Sequence, residues 1–246
     1  MQPFQKKPKL QSRKSAFSLI EMLVVIAIIA ILMAAGVAGL SGMEGKGVTS
    51  GVATAESLFD EARTTAVGRN LRSCVLVAKT LTNNTSEDLR RIIVAYEPTD
   101  PNTGIPTTPA GSNVSGWVLS SRGAVLPEQT FFSKKFSKQL DTSGSPGTAI
   151  NEVTLSNAKA SYQGTYFIYE FNSQGIPAYP NGASFVIGSG ARNPSQSSDT
   201  APPKVKASAK RDFGGFVIWL NGRTSVFRSP QQISTTINSI NSGDEF

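Results

Sequence analysis

The sequence predicts an α+β protein in which a long N-terminal helix leads into a β-rich body. Two observations support this prediction. The 19 residues from Met22 to Leu40 carry no charge, and after Arg69 the pattern changes to short β-type runs separated by turn residues. As a helix the uncharged run would measure about 28 Å, at ~1.5 Å per residue, which just spans a bilayer core. A chain of 246 residues with 39% hydrophobic content has room for such a helix and one medium domain.

A cluster of basic residues precedes the uncharged run. Its members are Lys6, Lys7, Lys9, Arg13 and Lys14. By the positive-inside rule, we expect the N-terminus in the cytoplasm and everything after Leu40 on the other side of the membrane. These five residues supply most of the net charge of +7, since the rest of the chain holds 19 basic and 17 acidic residues. The body therefore gives no strong reason to expect a nucleic-acid partner.

Glu21 is the unusual residue of the N-terminal segment. A carboxylate inside a bilayer is costly, so a membrane segment that keeps one normally has a partner for it. Two other interpretations stay open. The segment would be an ordinary secretory signal if it ended at the small residues Gly36 to Ala38, and Glu21 would need no partner if its side chain simply reached the cytoplasmic interface.

Residues Ala16 to Glu21, with the sequence AFSLIE, resemble the prepilin (class III) signal of type IV pilins and type II secretion pseudopilins. The resemblance implies that a prepilin peptidase/methyltransferase cuts after Ala16 and methylates the new N-terminus at Phe17. Residues 1–16 are then a basic leader peptide and residues 17–40 a transmembrane assembly helix. The family usually has Gly before the cut, where this chain has Ala16. The implied location is a single pass through the inner membrane, with a periplasmic or other extracytoplasmic C-terminal domain.

Cleavage after Ala16 would make Glu21 the fifth residue of the mature chain, which is the family's usual acidic position. When the apolar helices of many subunits bundle, the amino group of an incoming Phe17 can neutralise Glu21 of a neighbour. A subunit in the wrong register would leave both charges unpaired. The expected partners are thus the peptidase, other pilin or pseudopilin subunits and the inner membrane.

Residues 41–70 combine a glycine-rich joint with an amphipathic helix. Glycines recur every three residues from Gly36 to Gly45, with Gly47 and Gly51 beyond, and each weakens a helix by roughly 1 kcal/mol relative to Ala. We therefore expect this stretch to bend or melt, either as a compliant joint or as a plain linker. Helical periodicity resumes at Ala53, with an apolar stripe that we expect to pack on a sheet. The stripe consists of Ala55, Leu58, Phe59, Ala62 and Ala66.

Residues 71–246 are expected to form an exported β-rich domain with long polar loops. The predicted strands are Cys74 to Thr80, Arg91 to Tyr96, Gly116 to Ser121, Thr165 to Phe171, Ser184 to Ile187, Phe216 to Leu220 and Ser225 to Arg228. Asn221-Gly222 predicts a type I′ hairpin turn. A last helix is predicted from Pro230 to Ile240, with Ser229 as its N-cap. Polar insertions at residues 97–115, 133–164 and 189–212 are expected to be surface loops.

The body also resembles the GspH/FimT-type minor pseudopilins. The residues that carry this resemblance are AESLFDEARTTAVGRNLRSCVLVA, FNSQG at Phe171 to Gly175, and GGFVIWLNGRTSVFR at Gly214 to Arg228. The resemblance implies a pseudopilin-like α+β fold. Its long N-terminal helix, transmembrane in its first half and amphipathic in its second, would pack on small antiparallel β-sheets.

The sequence indicates that the chain is not an enzyme. It has no histidine and one cysteine, which excludes histidine-based triads, histidine metal sites and an internal disulfide. No Ser-x-x-Lys motif lies in a convincing context and no phosphate-binding loop is present, so no cofactor or metal site is predicted. Cys74 is expected to be a small buried residue, with a free redox thiol as the alternative. Asp244 and Glu245 make a poor calcium site and are interpreted as a solvated tail.

Arg223 and Arg228 flank the last predicted strand. Some FimT-like proteins take part in DNA uptake through a basic Gly-Arg-x-Arg element near this hairpin. The match stops at Gly222-Arg223-Thr224-Ser225, where the second arginine is absent. The sequence thus predicts a minor pilin or pseudopilin subunit, with exported protein or DNA as further partners. DNA uptake through Arg223 and an ordinary secreted or anchored β domain remain the alternatives.

Overall fold

The computed structural model describes residues 18–41, 44–100, 102–105, 107, 116–156, 158–207 and 212–246. The chain divides into two compact units, Met1–Gly42 and Met43–Phe246. Helix α1 (Leu19–Ser41) belongs to the first unit, and helix α2 (Glu44–Arg69) begins the second. In the second unit α2 packs on antiparallel sheets, which confirms the predicted α+β class.

Every residue of the predicted apolar stripe lies in helix α2 and is buried. The buried residues of the helix include Val48, Val52, Ala55, Leu58, Phe59, Ala62 and Ala66. The stripe therefore continues toward the N-terminus beyond Ala53, where the sequence analysis placed the start of the helix. Burial of these side chains stabilises the helix more than intrinsic propensity does.

The glycine-rich stretch is helical at Gly36, Gly39, Gly45, Gly47 and Gly51, so the expectation that it melts is wrong at these positions, and the expectation that it bends stays a prediction. Packing explains the two glycines nearest the sheet. A Cβ on Gly51 would lie 2.7 Å from Cδ1 of Ile187, and a Cβ on Gly47 would lie 3.0 Å from Oγ1 of Thr130. Glycine lets the helix approach its neighbours closely, which offsets its low helix propensity. Residues 42 and 43, at the predicted joint, lie outside the described residues.

The described residues form thirteen strands in two sheets. In chain order they are β1 Ser73–Leu81, β2 Arg91–Tyr96, β3 Val118–Leu119, β4 Ala124–Val125, β5 Thr130–Phe132, β6 Lys138–Leu140, β7 Pro146–Ala149, β8 Glu152–Leu155, β9 Gly164–Phe171, β10 Ala183–Ala191, β11 Lys204–Val205, β12 Phe213–Ile218 and β13 Thr224–Val226. The first sheet has the order β3-β2-β1-β9-β8, with β4 also on β2. The second has the order β13-β12-β10-β6-β7, with β5 and β11 also on β10. All of these strand pairs are antiparallel.

The main hydrophobic core joins α2 to residues from both sheets. Phe59 of α2 is its centre, because its ring makes edge contacts with Tyr169 of β9 and Phe216 of β12, both at 5.1 Å between centroids. Phe185 of β10 lies 5.5 Å from Phe59 and stacks on Phe216 at 5.1 Å. These ring contacts join the helix to both sheets.

The seven predicted strands are all present; Arg91–Tyr96 has the predicted bounds and the other six have shifted ends. The prediction that residues 133–164 and 189–212 are surface loops is wrong in part, because β6, β7, β8 and β11 lie within them. Strand β8 had a usable signal, since Val153 and Leu155 are buried and alternate with exposed residues. Strand β7 is exposed at every position, so its sequence carries no alternation that a pattern could reveal.

The predicted C-terminal helix is interrupted. Helix α3 covers only Pro230–Ile233, with Ser229 in the N-cap position and Pro230 at the start, and a 3₁₀ turn follows at Thr235–Ser239. Ser234 between them is extended, and its Oγ accepts a hydrogen bond from the Thr236 N–H. Serine competes for backbone donors in this way, which favours a new cap over a continued helix.

Candidate functional site

The N-terminal helix begins directly after Ser18. The Ser18 carbonyl accepts hydrogen bonds from the backbone N–H groups of Glu21, at 3.0 Å, and Met22, at 3.2 Å. Glu21 therefore sits in the first helical turn, where a carboxylate interacts favourably with the helix dipole. Its side chain is exposed and makes no ion pair with any described residue. The predicted cleavage residues Ala16 and Phe17 lie outside the described residues.

The apolar side chains from Leu19 to Met33 are exposed around the whole helix. Ile26, for example, is 65% exposed and Met33 is 67% exposed. An exposed apolar patch on this scale marks a surface that is covered by another molecule or by lipid. Taking the described residues only, no helix meets both the length and the apolarity required of a membrane span.

The second predicted site is the hairpin between β12 and β13. The Trp219 N–H donates to the Arg223 carbonyl at 2.9 Å, and the Gly222 N–H donates to the Trp219 carbonyl at 2.8 Å. The hairpin is confirmed, but the type I′ prediction is wrong, since Gly222 has a φ of +74° while Asn221 is not among the residues with positive φ. A type I′ turn requires positive φ at two successive positions.

Arg223 and Arg228 lie on either side of β13 with exposed side chains, and neither pairs with a described acid. Sequence reasoning missed Trp219, which is 45% exposed in the same hairpin. Its indole N–H donates to Ser225 Oγ at 2.9 Å. Trp219 follows β12, and its two-residue alternation with the buried Phe216 and Ile218 is the signal that places its side chain on the exposed face.

Two glycine turns meet on α2 and hold this hairpin in place. Gly175 (φ +73°) and Gly222 (φ +74°) both adopt the left-handed conformation. A Cβ on Gly222 would lie 2.2 Å from the Gly175 carbonyl oxygen, and one on Gly175 would lie 2.9 Å from Cγ of Arg63. The FNSQG and LNGR segments are therefore packed against each other and against the helix, which requires glycine at both positions.

The comparisons with known proteins concern the N-terminal segment above all. Residues 11–37 match the family model described as "Prokaryotic N-terminal methylation motif". The chain has a prepilin-type N-terminal segment. The match covers Ala16, Phe17 and Glu21 and confirms the resemblance drawn from AFSLIE. The motif belongs to structural subunits, in agreement with the prediction that the chain is not an enzyme.

The chain also has a distant likeness to a solved structure. The chain is similar to the type IV minor pilin FimU of Pseudomonas aeruginosa, with 11% identity, a TM-score of 0.34, and coverage of 76% of this chain and 98% of that one. No curated protein matches the chain.

Outside the prepilin-type segment, the most deeply buried charges are Asp88 and Arg192. Their side chains are 0% and 1% exposed, with Arg192 Nη2 3.3 Å from Asp88 Oδ2. Asp88 also accepts hydrogen bonds from the backbone N–H groups of Leu81, at 2.8 Å, and Ser198, at 2.9 Å. Burial raises the pKa of Asp88 and lowers the pKa of Arg192, since both lose hydration. The pair joins the β1–β2 connection to the loop after β10, which is a structural role.

Cys74 lies in a second hydrophobic cluster on the other face of the first sheet, and it is fully buried. Burial raises the pKa of its thiol well above the ordinary value. Because the nucleophilic form of cysteine is the thiolate, burial disfavours reaction at this thiol. The structure thus agrees with the expected small buried residue.

The C-terminal residues are ordered against β11, so the interpretation as a solvated tail is wrong. The Val205 N–H donates to the Asp244 carbonyl at 2.9 Å, and the Gly243 N–H donates to the Val205 carbonyl at 2.9 Å. Phe246 is 4% exposed and packs edge-on against Phe213 at 5.2 Å. Within the part of the chain that the structure describes, no cluster of three or more potential metal ligands is found.

Proposed function

We propose that the chain is the precursor of a minor pilin or pseudopilin subunit of a type IV pilus-like or type II secretion filament, of the GspH/FimT type. Glu21 carries the proposal. It is a carboxylate in the first turn of an apolar, exposed helix, four residues after the predicted new N-terminus at Phe17. A carboxylate in that position is stabilised when a cationic group of another molecule pairs with it.

In this function, cleavage after Ala16 creates an amino group that did not exist in the precursor. That amine, methylated on Phe17, pairs with Glu21 of a neighbouring subunit as the apolar helices bundle. The exposed side chains of residues 19–33 then pack against neighbouring helices or lipid. Pairing sets the register between subunits because any other register leaves a charge unpaired.

The same proposal gives the topology. The basic residues before Phe17 stay in the cytoplasm, the helix crosses the inner membrane once, and the domain of residues 43–246 lies outside the cytoplasm. The outer domain would contact other minor subunits or exported cargo.

N-terminal mass analysis of the membrane-bound protein tests the processing step. We expect a mature chain that begins at methylated Phe17. A chain that begins near Val37 or Gly39 would instead make the segment an ordinary secretory signal and overturn the proposal.

Glu21→Ala tests the assembly step. We expect cleavage at Phe17 to continue while incorporation into sheared filaments drops at least tenfold, because the neighbour's amine has no partner. Asp60→Ala is the matched control, since Asp60 is an exposed carboxylate on α2. Normal incorporation of the Glu21→Ala protein would remove the ion-pair argument and leave the processing result intact.

A second candidate function is DNA binding at the β12–β13 hairpin. The observation that favours it is the exposure of Arg223 and Trp219 in one turn, since arginine contacts phosphates and an exposed indole stacks on bases. A salt-dependent gel shift with the full chain in detergent tests it, comparing Arg223→Ala and Trp219→Ala with Arg122→Ala. Equal shifts for the three variants would exclude this hairpin as the DNA site.

A further inference from the structure

A shallow pocket of about 570 Å³, here named the indole pocket, lies at the end of the second sheet where β6 and β12 stop and β10 begins. Ala183 of β10 is paired with Gln139 of β6 on one side and with Ile218 of β12 on the other. The turns next to these three residues therefore lie side by side. The residues that line the pocket are Asp141, Thr142, Ser143 and Gly144 of the β6–β7 turn, Asn181 before β10, and Trp219, Leu220 and Asn221 of the β12–β13 hairpin.

Backbone contacts at Gly182 hold the three segments together. The Leu140 N–H donates to the Gly182 carbonyl at 2.9 Å. A Cβ on Gly182, which has a φ of +89°, would lie 2.3 Å from the Ile218 carbonyl oxygen, so glycine is needed for β12 to approach this closely. The sheet thus sets the spacing of the segments that line the pocket, which lowers the cost of ordering them around a ligand.

Trp219 provides an apolar aromatic surface in the pocket. It is 45% exposed, and Leu220 beside it is 52% exposed. The indole N–H donates to Ser225 Oγ at 2.9 Å, and the backbone N–H donates to the Arg223 carbonyl at 2.9 Å, so the ring is restrained while much of its surface stays open. The face of an aromatic ring is electronegative. It therefore attracts the C–H groups on one face of a pyranose sugar, which carry a small positive charge.

Asp141 supplies an acceptor to the same pocket. Its Oδ1 accepts hydrogen bonds from the Ser143 Oγ–H at 2.6 Å, the Ser143 N–H at 2.9 Å and the Ser145 N–H at 2.8 Å. These bonds, with the Ser143 hydroxyl as the largest cause, lower the pKa of Asp141, so the group is ionised at neutral pH. All three bonds go to Oδ1, which leaves Oδ2 to accept from a ligand hydroxyl.

Two amide side chains supply donors. Asn221 Oδ1 accepts from the Arg223 N–H at 2.9 Å, which leaves the Asn221 Nδ2 group to donate to a ligand. Asn181 is half-buried in the pocket and carries a second amide. A sugar hydroxyl both donates and accepts hydrogen bonds, so a carboxylate and an amide together match two neighbouring hydroxyls.

The charge of the lining separates a sugar from other ligands. Among the eight lining residues there is one carboxylate and no lysine or arginine, which disfavours phosphates and other anions. Only Trp219 and Leu220 of the eight have large apolar side chains, which is little surface for an apolar peptide. An aromatic surface beside neutral amides, hydroxyls and one acceptor carboxylate fits a neutral sugar best.

We propose that the indole pocket binds a neutral oligosaccharide. One pyranose ring stacks on Trp219, one of its hydroxyls donates to Asp141 Oδ2, and a neighbouring hydroxyl accepts from Asn221 Nδ2. This goes beyond the proposed function, because it gives the outer domain a ligand class that depends on neither the N-terminal helix nor filament assembly.

Fluorescence polarisation with the full chain in detergent micelles tests the proposal. The detergent has no sugar headgroup, since a glycoside headgroup would compete for the pocket. The probes are fluorescein-labelled cellohexaose, chitohexaose and maltohexaose, which are neutral and differ in linkage or substituents. We expect saturable binding of at least one probe, with displacement by the same unlabelled sugar. If none of the three binds saturably, the proposal is overturned.

Variants of the two recognition groups locate the binding. Trp219→Ala should weaken binding by about tenfold or more, and Trp219→Phe, which keeps an aromatic ring, should weaken it less. Asp141→Asn keeps the Oδ1 acceptor that holds the turn and replaces the Oδ2 acceptor by a donor, so it should also weaken binding about tenfold.

The matched control is Asp60→Asn, at an exposed carboxylate of α2, which should stay within about twofold of the natural chain. Equal affinities of Asp141→Asn and Asp60→Asn would overturn the site. Unchanged thermal unfolding of Trp219→Ala and Asp141→Asn shows that their losses arise in the pocket.

Oligothymidine separates the sugar from nucleic acid, which would also use Trp219. Asp141→Asn removes a negative charge, so it should weaken sugar binding without weakening oligothymidine binding. Oligothymidine that binds more tightly than every hexasaccharide and displaces them would overturn the sugar assignment. Processing at Phe17 and the incorporation of Glu21→Ala are measured separately, so a failure here leaves the proposed function standing.

Discussion

Glu21 and Asp88 are two carboxylates with opposite surroundings. Asp88 is fully buried and has Arg192 and two backbone N–H groups as partners, all within the domain. Glu21 is exposed in the first turn of α1 and has no ion-pair partner among the described residues. Asp88 is therefore compensated within the domain, whereas the pairing of Glu21 with another molecule stays a proposal.

Apolar side chains show the same contrast between the two helices. Phe59 of α2 is 1% exposed and contacts aromatic rings from both sheets, while Ile26 of α1 is 65% exposed. Helix α2 is stabilised by the domain it belongs to. The described side chains of helix α1, at residues 19–33, have no comparable burial.

Phe59→Ala should give the largest loss of stability. Removing a ring that joins both sheets leaves a cavity, and we expect the free energy of unfolding of the domain to fall by about 4 kcal/mol. Denaturant unfolding of the full chain in detergent measures it, with Ile26→Ala as the matched control. If Ile26→Ala destabilises the domain as much as Phe59→Ala, the contrast between the two helices fails.

Arg192→Met should cost about 3 kcal/mol at pH 7, because it leaves the Asp88 carboxylate buried without its ion-pair partner. The pKa of Asp88 is already raised by burial, and loss of the guanidinium raises it further. Since the folded state then binds a proton more tightly than the unfolded state, stability falls as pH rises between the two pKa values. The deficit relative to the natural chain should therefore shrink as pH is lowered toward 4.

Unfolding at several pH values checks the Arg192→Met prediction. The exposed Arg122→Met is its control and should change stability by less than about 0.5 kcal/mol at every pH. A deficit in Arg192→Met that grows on acidification would contradict the assignment of the effect to Asp88.

The features predicted from sequence are those whose residues lie close together along the chain. AFSLIE is contiguous, the α2 stripe from Ala55 to Ala66 has a helical period, and Gly222 lies in a short turn between two strands. Local patterns of this kind determine local structure, so they can be recognised before any fold is known.

The missed features depend on residues that only the fold brings together. Asp88 and Arg192 are 104 residues apart, and neither shows its partner in the sequence. Residues 133–138 are predicted as part of a polar loop because the sequence does not show that Ser137 Oγ accepts a hydrogen bond from the Val186 N–H of β10. Helix propensity predicts that Gly51 weakens α2, whereas in the fold a Cβ at this position would lie 2.7 Å from Ile187 Cδ1, so the close packing favours glycine.

Gly51→Ala and Gly68→Ala are expected to give the smallest changes in stability. Together they test whether packing or intrinsic helix propensity determines the effect of a glycine in α2. A Cβ on Gly51 would lie 2.7 Å from Ile187 Cδ1 and 3.3 Å from Leu126 Cδ2, whereas nothing lies within 4 Å of one on Gly68. Alanine improves helix propensity at both sites. We therefore expect Gly68→Ala to stabilise the domain by roughly 0.5 kcal/mol, and Gly51→Ala to destabilise it by about 1 kcal/mol because overpacking outweighs propensity. Thermal unfolding of the two variants side by side measures this, and stabilisation by both would mean that propensity, not contact with β10, governs the glycine-rich part of α2.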